Sequence, residues 1–503
     1  MPPQGVLSIP PRIIAMVLGS SDDDDDDDDD DEYDSDDLSY ESTESERYLE
    51  KLEFEEDVLG KIESNDPVLT KLTIHPFSEG YRQLSDNDWS RLGEAIGRAT
   101  HLQDVSLIEF RSQNVGTFFH ILPGFARNRS IQKLRIHDMY ISAPEVDNFL
   151  DQFFNNNRVI ERLSFIRETR NWELEEGLRF LASALRLCQS LKEVEIYTAD
   201  TAWFCVDNVL RSLIGHTGLE TLSLSGVSIE DCAAVRTITK MNIRAIELGN
   251  VLLDDKVATA FADGISGNST LKELVFRSAV EFHDNGSQAI IDALQRSRFR
   301  LEKLSMACNI MPDNRGARLR LEKLSSMACN IMPDNRALSL ANSILHHSAT
   351  LRFLNLSNLP PNIDGQSITI VGWRSLFQLL REPNSVLEEL DLGTNLFGDE
   401  VVDALTNALV GNDKLRKLKL RHNLHVSAAA WAGLSAVLRN PKSALDVLDL
   451  NEGYINGDGN LINDDTIFAF ADALAGNCKL KELILCLNPD RVNYRVTPKD
   501  MAL

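Results

Sequence analysis

Apolar residues recur along this chain at two alternating spacings. Short stretches such as LEELDLGTN (387–395) place them at every second position, the period of a strand with one buried face. Longer stretches such as VVDALTNALVGN (401–412) and FAFADALAGN (468–477) place them at helical spacing. Their alanines pack closely and favour helix, and their Gly-Asn or Asn endings fit a helix C-terminus. An L-x-x-L-x-L frame starts at 69, 102, 131, 160, 191, 219, 243, 271, 301, 321, 351, 387, 415, 445 and 480. Of its 45 apolar positions, 44 are Leu, Ile, Val, Phe or Met; the exception is Ser326. Most starts lie 28 to 31 residues apart. A strand followed by a helix, again and again, predicts right-handed β-α crossovers. One such unit cannot bury its own apolar stripe, so neighbouring units must stack.

The frame resembles the leucine-rich repeat, in the long helical form of ribonuclease-inhibitor-like proteins. The best matches are LEELDLGTNLFGDEVVDALTNALVGN and LRKLKLRHNLHVSAAAWAGLSAVL. The family's turn asparagine, eight residues after the first Leu, falls on Asn309, Asn395, Asn423 and Asn488. Its amide can bond backbone groups left unpaired where the chain turns off the strand. The resemblance covers about 69–487. It implies an α/β solenoid of horseshoe shape, with a parallel sheet on the concave face and helices on the convex face. It says little about function, because this scaffold carries many.

One frame is written almost twice, as LEKLSMACNIMPDNR (301–315) and LEKLSSMACNIMPDNR (321–336). The copies start 20 residues apart, too few for a strand and a full helix. Removing either 20-residue copy restores a spacing of 30. The extra Ser326 would flip later side chains to the other face unless a bulge absorbed it. The expectation is a short irregular unit, or one copy displaced as a loop.

Charge divides the chain of 503 residues unevenly. The formal net charge is −26, and residues 22–57 hold 22 Asp or Glu against Arg47 and Lys51, a net of −20. Residues 1–45, with ten consecutive aspartates at 22–31, lack the apolar content to fold and are predicted to be disordered. Residues 46–68 regain helical spacing and predict an N-terminal capping helix; 69–503 then form an array of about 15 units. The last 24 residues begin as a strand unit and end without a convincing helix, which predicts an open or incompletely capped C-terminal end. The seven cysteines include no C-x-x-C pair, so neither a disulfide framework nor a zinc site is expected, and the natural compartment is a reducing, intracellular one, cytoplasmic or nuclear. IIAMVLG (13–19) runs straight into aspartates without a cleavage site. No stretch reaches the ~18 apolar residues of a membrane span. The N-x-S/T triplets at Asn128, Asn268, Asn285 and Asn355 are then chance matches.

The common phosphate-loop, zinc-protease and nucleophile-elbow motifs are absent from the sequence. NGDGNLINDD (456–465) lacks the spacing of a calcium loop. The expectation is therefore a non-enzyme with no cofactor. Residues on the outward strand face carry the candidate site. They are Lys133 and Arg135 (with His137), Glu193, Glu195 and Tyr197, Phe353, Glu389 and Asp391, then Lys417, Lys419 and Arg421, followed by Asp449. The last three rows can neutralise one another across a ladder with a ~4.8 Å rise. Tyr197 and Phe353 are aromatic groups of the sort that dominate interfaces. The reading is a monomeric protein-interaction scaffold that binds on its concave surface. The aspartate run is either a solubilising tail or an electrostatic partner for basic proteins or for the array's own basic residues. Ser20, Ser21 and Thr43, each with an acid three residues on, form a weak acidophilic-kinase pattern. Nucleic acid is disfavoured, since it requires concentrated Lys and Arg. Long helical repeats with an acidic segment also resemble Ran GTPase-activating proteins, which implies regulation of a small GTPase, but there the acidic segment follows the repeats. Acidic leucine-rich nuclear proteins that bind histones share only the tail composition.

Overall fold

A computed structural model describes residues 58–110, 115–138, 153–167 (except 158), 181–198 (except 183–184), 204–307 (except 252 and 278–283), 334–359, 368–450 (except 396 and 424), 464–475, 479–486 and 493–496. The aspartate run, Asn309, Asn488, the second copy's frame and the NGDGNLIN residues 456–463 lie outside them.

Among the described residues the strands are β1 (Lys71–Ile74), β2 (Asp104–Ile108), β3 (Lys133–His137), β4 (Arg162–Arg167), β5 (Glu193–Thr198), β6 (Phe204–Cys205), β7 (Thr221–Ser225), β8 (Val227–Ser228) and β9 (Ala245–Gly249). They continue with β10 (Glu273–Arg277), β11 (Lys303–Met306), β12 (Phe353–Asn355), β13 (Glu389–Asp391), β14 (Lys417–Lys419), β15 (Val447–Asp449), β16 (Glu482–Cys486) and β17 (Asn493–Val496). The helices are α1 (Val58–Glu63), α2 (Glu79–Arg82), α3 (Asp86–Arg98), α4 (Val115–Arg127), α5 (Asp207–Leu213), α6 (Cys232–Lys240) and α7 (Asp255–Gly267). Then come α8 (Asp284–Arg296), α9 (Asp334–His346), α10 (Ile370–Leu376), α11 (Gln378–Arg381), α12 (Asp399–Leu409), α13 (Ala428–Arg439) and α14 (Asp464–Ala475).

Fifteen strands form one open sheet, in chain order apart from β6 and β8, which pair with each other. Fourteen run parallel, each with its frame leucine opposite the next, as in Leu390↔Leu418↔Leu448. The helices stack on their neighbours in a second layer, α3 on α4, α6 on α7 on α8, and α12 on α13 on α14. Strands repeat at ~4.8 Å and packed helices at ~8–10 Å, so the stack must curve with its strands inside. The even positions of the frame fill the space between layers: Leu390, Leu392, Leu418, Leu420, Leu448 and Leu450 are all buried.

Three columns of polar side chains stitch unit to unit. In the turn column, the Asn423 amide donates to the Leu392 and Leu420 carbonyls at 3.1 and 2.8 Å, and its oxygen accepts from the Asn395 backbone N–H at 3.0 Å. Asn395 repeats the pattern onto Leu356 and Leu392. A second column closes the helix C-termini. Asn128 donates to Ile96 and Ala99 and accepts from the backbone of Ser130 and Ile131; Asn268 and Asn412 do the same in their units. These buried amides leave Asn128 and Asn268 inaccessible to glycosylation. Cys188 takes the same place, its thiol donating to the Ile160 carbonyl at 3.7 Å while burial pushes its pKa up. In the third column an Asp at the start of four helices accepts from the backbone of the next unit. Asp207 serves Glu230 and Asp231, Asp255 serves Gly286, Asp334 serves Thr369, and Asp399 serves Ser427. A carboxylate there also suits the positive helix end.

The duplicated frame is resolved by register. β11 belongs to the first copy, and Lys303 pairs with both Glu273 and Phe353, which leaves no rung between β11 and β12 for a second strand. The helix of that unit, α9, begins with Asp334 of the second copy and packs against α8 and α10. Both layers are therefore continuous across 308–333. Deleting 307–327 would join LEKLSM to ACNIMPDNR and give a spacing of 29. The connection between β11 and α9 shortens, which is worth ~1 kcal/mol. The expected result is an equal or slightly higher melting temperature; a large drop would show that the insertion is integral to the stack.

His347 seals this junction. It is 1% exposed, stacks on Phe299 at 5.6 Å, and its Nδ1 accepts from the Leu301 N–H at 3.4 Å. Burial, and then the charges of His346 and Arg300, push its pKa down to about 4. The unfolded chain would hold a proton here below about 6.5, so this contribution is complete above that pH and is lost as pH falls toward 4. The loss reaches ~3 kcal/mol. His347→Asn, which removes the titrating ring, should lose less stability than wild type between pH 7 and pH 4.5 in urea unfolding. Equal losses would remove His347 as the cause.

The ends differ from the array. At the first strand the Tyr81 hydroxyl donates to the Thr73 carbonyl at 2.7 Å, with its ring stacked on Trp89, and α1 packs against α3. At the other end β17 pairs antiparallel with β16, Leu483 opposite Val496. The last parallel strand is thus covered, where the sequence predicted an open end.

Candidate functional site

Alternation sends the third, fifth and seventh residues of each frame to the face away from the helices. Parallel register aligns them into rows across the sheet. The first row reads Lys71, Asp104, Lys133, Arg162, Glu193, Thr221, Ala245, Glu273, Lys303, Phe353, Glu389, Lys417, Val447 and Glu482. The second holds Arg135, Glu195, Glu247, Asp391, Lys419 and Asp449 among smaller residues. In the third, Tyr197 lies between Ile166 and Ser225.

These rows divide the face into three zones. The N-terminal zone, β1 to β4, is basic. Lys71 and Lys133 are exposed, and Arg135 reaches the Ser106 hydroxyl at 3.3 Å. The middle zone, β5 to β11, is acidic. Glu193 pairs with Arg162, Glu247 with Arg277 at 2.7 Å, and Glu273 with Lys303 at 3.9 Å. Glu195 is half-buried beside Tyr197, one rung of serine away from Glu247. Burial above all pushes the Glu247 pKa up; Arg277 and Lys303 oppose this, while Glu195 and Glu273 add to it. The C-terminal zone neutralises itself. Lys419 lies 3.2 Å from Glu389 and 4.0 Å from Asp391, Arg421 lies 3.3 Å from Asp391, and Lys417 lies 3.6 Å from Glu389. Phe353 receives Lys303 over its ring, 5.4 Å from the centroid.

No family model matches the chain. Ribonuclease inhibitor of Sus scrofa is 25% identical over 280 residues, which is 54% of this chain and 61% of that protein. Ribonuclease inhibitor of Mus musculus is 25% identical over 413 residues, 79% of this chain and 86% of its own. The Tonsoku-like protein of Mus musculus is 24% identical over 324 residues, 61% of this chain but 22% of that protein. Alone among these three, the mouse inhibitor is spanned over more than two thirds of its length. The chain is a leucine-rich repeat solenoid, similar in its repeats to the ribonuclease inhibitors. A chain of the crystal structure of Rad7 and Elc1 complex in yeast shares 12% identity over 78% of each chain with a TM-score of 0.39, too distant a likeness to carry an argument.

In this leucine-rich repeat protein the sequence-based candidates separate. Lys133 and Arg135 stand in the basic zone, Glu193, Glu195 and Tyr197 in the acidic zone, and Phe353 at its border. Glu389, Asp391, Lys417, Lys419 and Arg421 form one ion-paired cluster. Glu247, Glu273, Arg277 and Lys303 were missed, although the same frame positions in the units at 243, 271 and 301 would have found them. Off this face, Cys205, Asp207 and Glu230 place ligand atoms within 4.8 Å of one another. One Asp207 oxygen already accepts the Glu230 and Asp231 N–H groups, so its position is explained by the helix-start column without a metal.

Proposed function

We propose that this chain is a non-enzymatic protein-interaction scaffold that takes a basic protein surface on the acidic middle zone of its exposed sheet face. The observation that carries the reading is Tyr197, half-buried on the same face of β5 as Glu195 and two strands from Glu247, on a face formed by rigid strands. An aromatic ring flanked by carboxylates gives a partner both contact area and charge. The ribonuclease inhibitors named above support a repeat array used for binding. The self-paired C-terminal cluster is a weaker anchor, because its cations are already neutralised and pairs this exposed contribute only ~0–1 kcal/mol. The partner proteins, the monomeric state and an intracellular setting complete the proposal. It is tested by the salt dependence of binding: a basic partner held here should dissociate as salt rises, and Glu195→Lys should remove both the binding and its salt slope. Salt-independent binding that survives Glu195→Lys would place the partner elsewhere.

A further inference from the structure

We propose that the acidic N-terminal segment, residues 22–45, docks on the basic zone of its own sheet face and guards that end of the scaffold. This rests on the sheet face being the binding surface, and it adds a regulator of that surface. Segregation of charge is the first support. Residues 22–45 contain sixteen Asp or Glu and no Lys or Arg. On the sheet, Lys71, Lys133 and Arg135 cluster on β1 and β3, with Asp104 between Lys71 and Lys133, while Arg162 on β4 is paired with Glu193. Both Lys71 and Lys133 are exposed, and among the described residues neither lies within ion-pairing distance of a carboxylate. The other two zones do not compete. The middle one is acidic and repels the segment, and the cations of the C-terminal one are held by Glu389 and Asp391.

Reach is the second support. The described chain starts at Val58, in α1, which packs on α3 at the same end of the stack. Twelve residues, 46–57, separate position 45 from Val58, and these span about 18 Å as helix and about 43 Å when extended. β1 to β4 covers three strand spacings, about 14 Å. The segment can therefore pass around the N-terminal edge and lie over Lys71 and Lys133. An acidic partner would have to displace it, whereas a basic partner on the middle zone would not. The effect is confined to short range, since exposed charges are screened beyond ~8 Å at physiological salt.

Zero-length carbodiimide coupling of the full chain tests this directly, because it joins a lysine amine to a carboxylate only where the two touch. Peptide mass spectrometry should find residues 22–45 joined to Lys71 and Lys133 well above the exposed Lys240, Lys256 and Lys442. The excess should vanish in ~1 M salt, where the Debye length is ~3 Å. Two variants should reduce it several-fold: Arg135→Glu on the sheet, and Asp→Asn at 22–31, which leaves the folded array untouched. Coupling spread over all exposed lysines would overturn the proposal. So would coupling between isotopically labelled and unlabelled chains, which would mean docking in trans. None of these readouts needs a partner, so the docking can fail while the scaffold reading stands, and the reverse.

Discussion

Leu418→Asp is expected to unfold the C-terminal units while the N-terminal ones stay folded. Leu418 is fully buried in the middle of β14, between Leu390 and Leu448. Losing a buried Leu costs ~1.5–3 kcal/mol. A carboxylate in its place adds several kcal/mol more, because the gap between sheet and helices offers it no counter-charge. In a stacked array each unit touches only its neighbours, so damage spreads by way of adjacent interfaces. Hydrogen exchange should show protection lost in β13 to β16 and kept in β2 to β5. If protection in β13 to β16 were unchanged, the leucine frame would not be the core.

The second large effect is expected at Asn423. Its side chain is fully buried and serves four backbone groups: the Leu392 and Leu420 carbonyls and the Asn395 and Phe397 N–H groups. Asn423→Leu keeps the volume but strands those groups, each at ~1–3 kcal/mol. Asn440→Leu, in an exposed stretch of the helix-end column, is the control and should cost about 1 kcal/mol. Chemical denaturation should rank Asn423→Leu as clearly worse. Equal costs would show that the turn column is incidental to stability.

Much of this was legible in the sequence because a leucine frame leaves little freedom. Period two fixes the strand face and period 3.6 the helix face, so the buried leucines and the outward rows follow together. Two of the turn asparagines, Asn395 and Asn423, were legible for the same reason, being tied to the frame at a fixed offset. Register across the duplication was not. Both copies carry the same strand pattern, and only pairing with Glu273 and Phe353 selects the first. The capping strand β17 escaped notice because NYRV has no leucine frame and pairs antiparallel. Glu247 and Arg277 escaped because their units carry Ala, Gly and Val at neighbouring outward positions, which hides the charge row unless every unit is read. The helix-start aspartates looked like ordinary N-terminal acids; their bonds to the next unit emerge only from stacking.

The central claim is that partners bind the sheet face and not the helix layer. The direct measurement compares partner capture by three full-length forms at one salt concentration: wild type, Glu195→Lys with Tyr197→Ala, and Lys256→Glu with Lys240→Glu on the helices. The account predicts that the sheet-face variant loses the partners wild type retains, that the helix-layer variant keeps them, and that all three melt alike. Partners lost only from the helix-layer variant would contradict it.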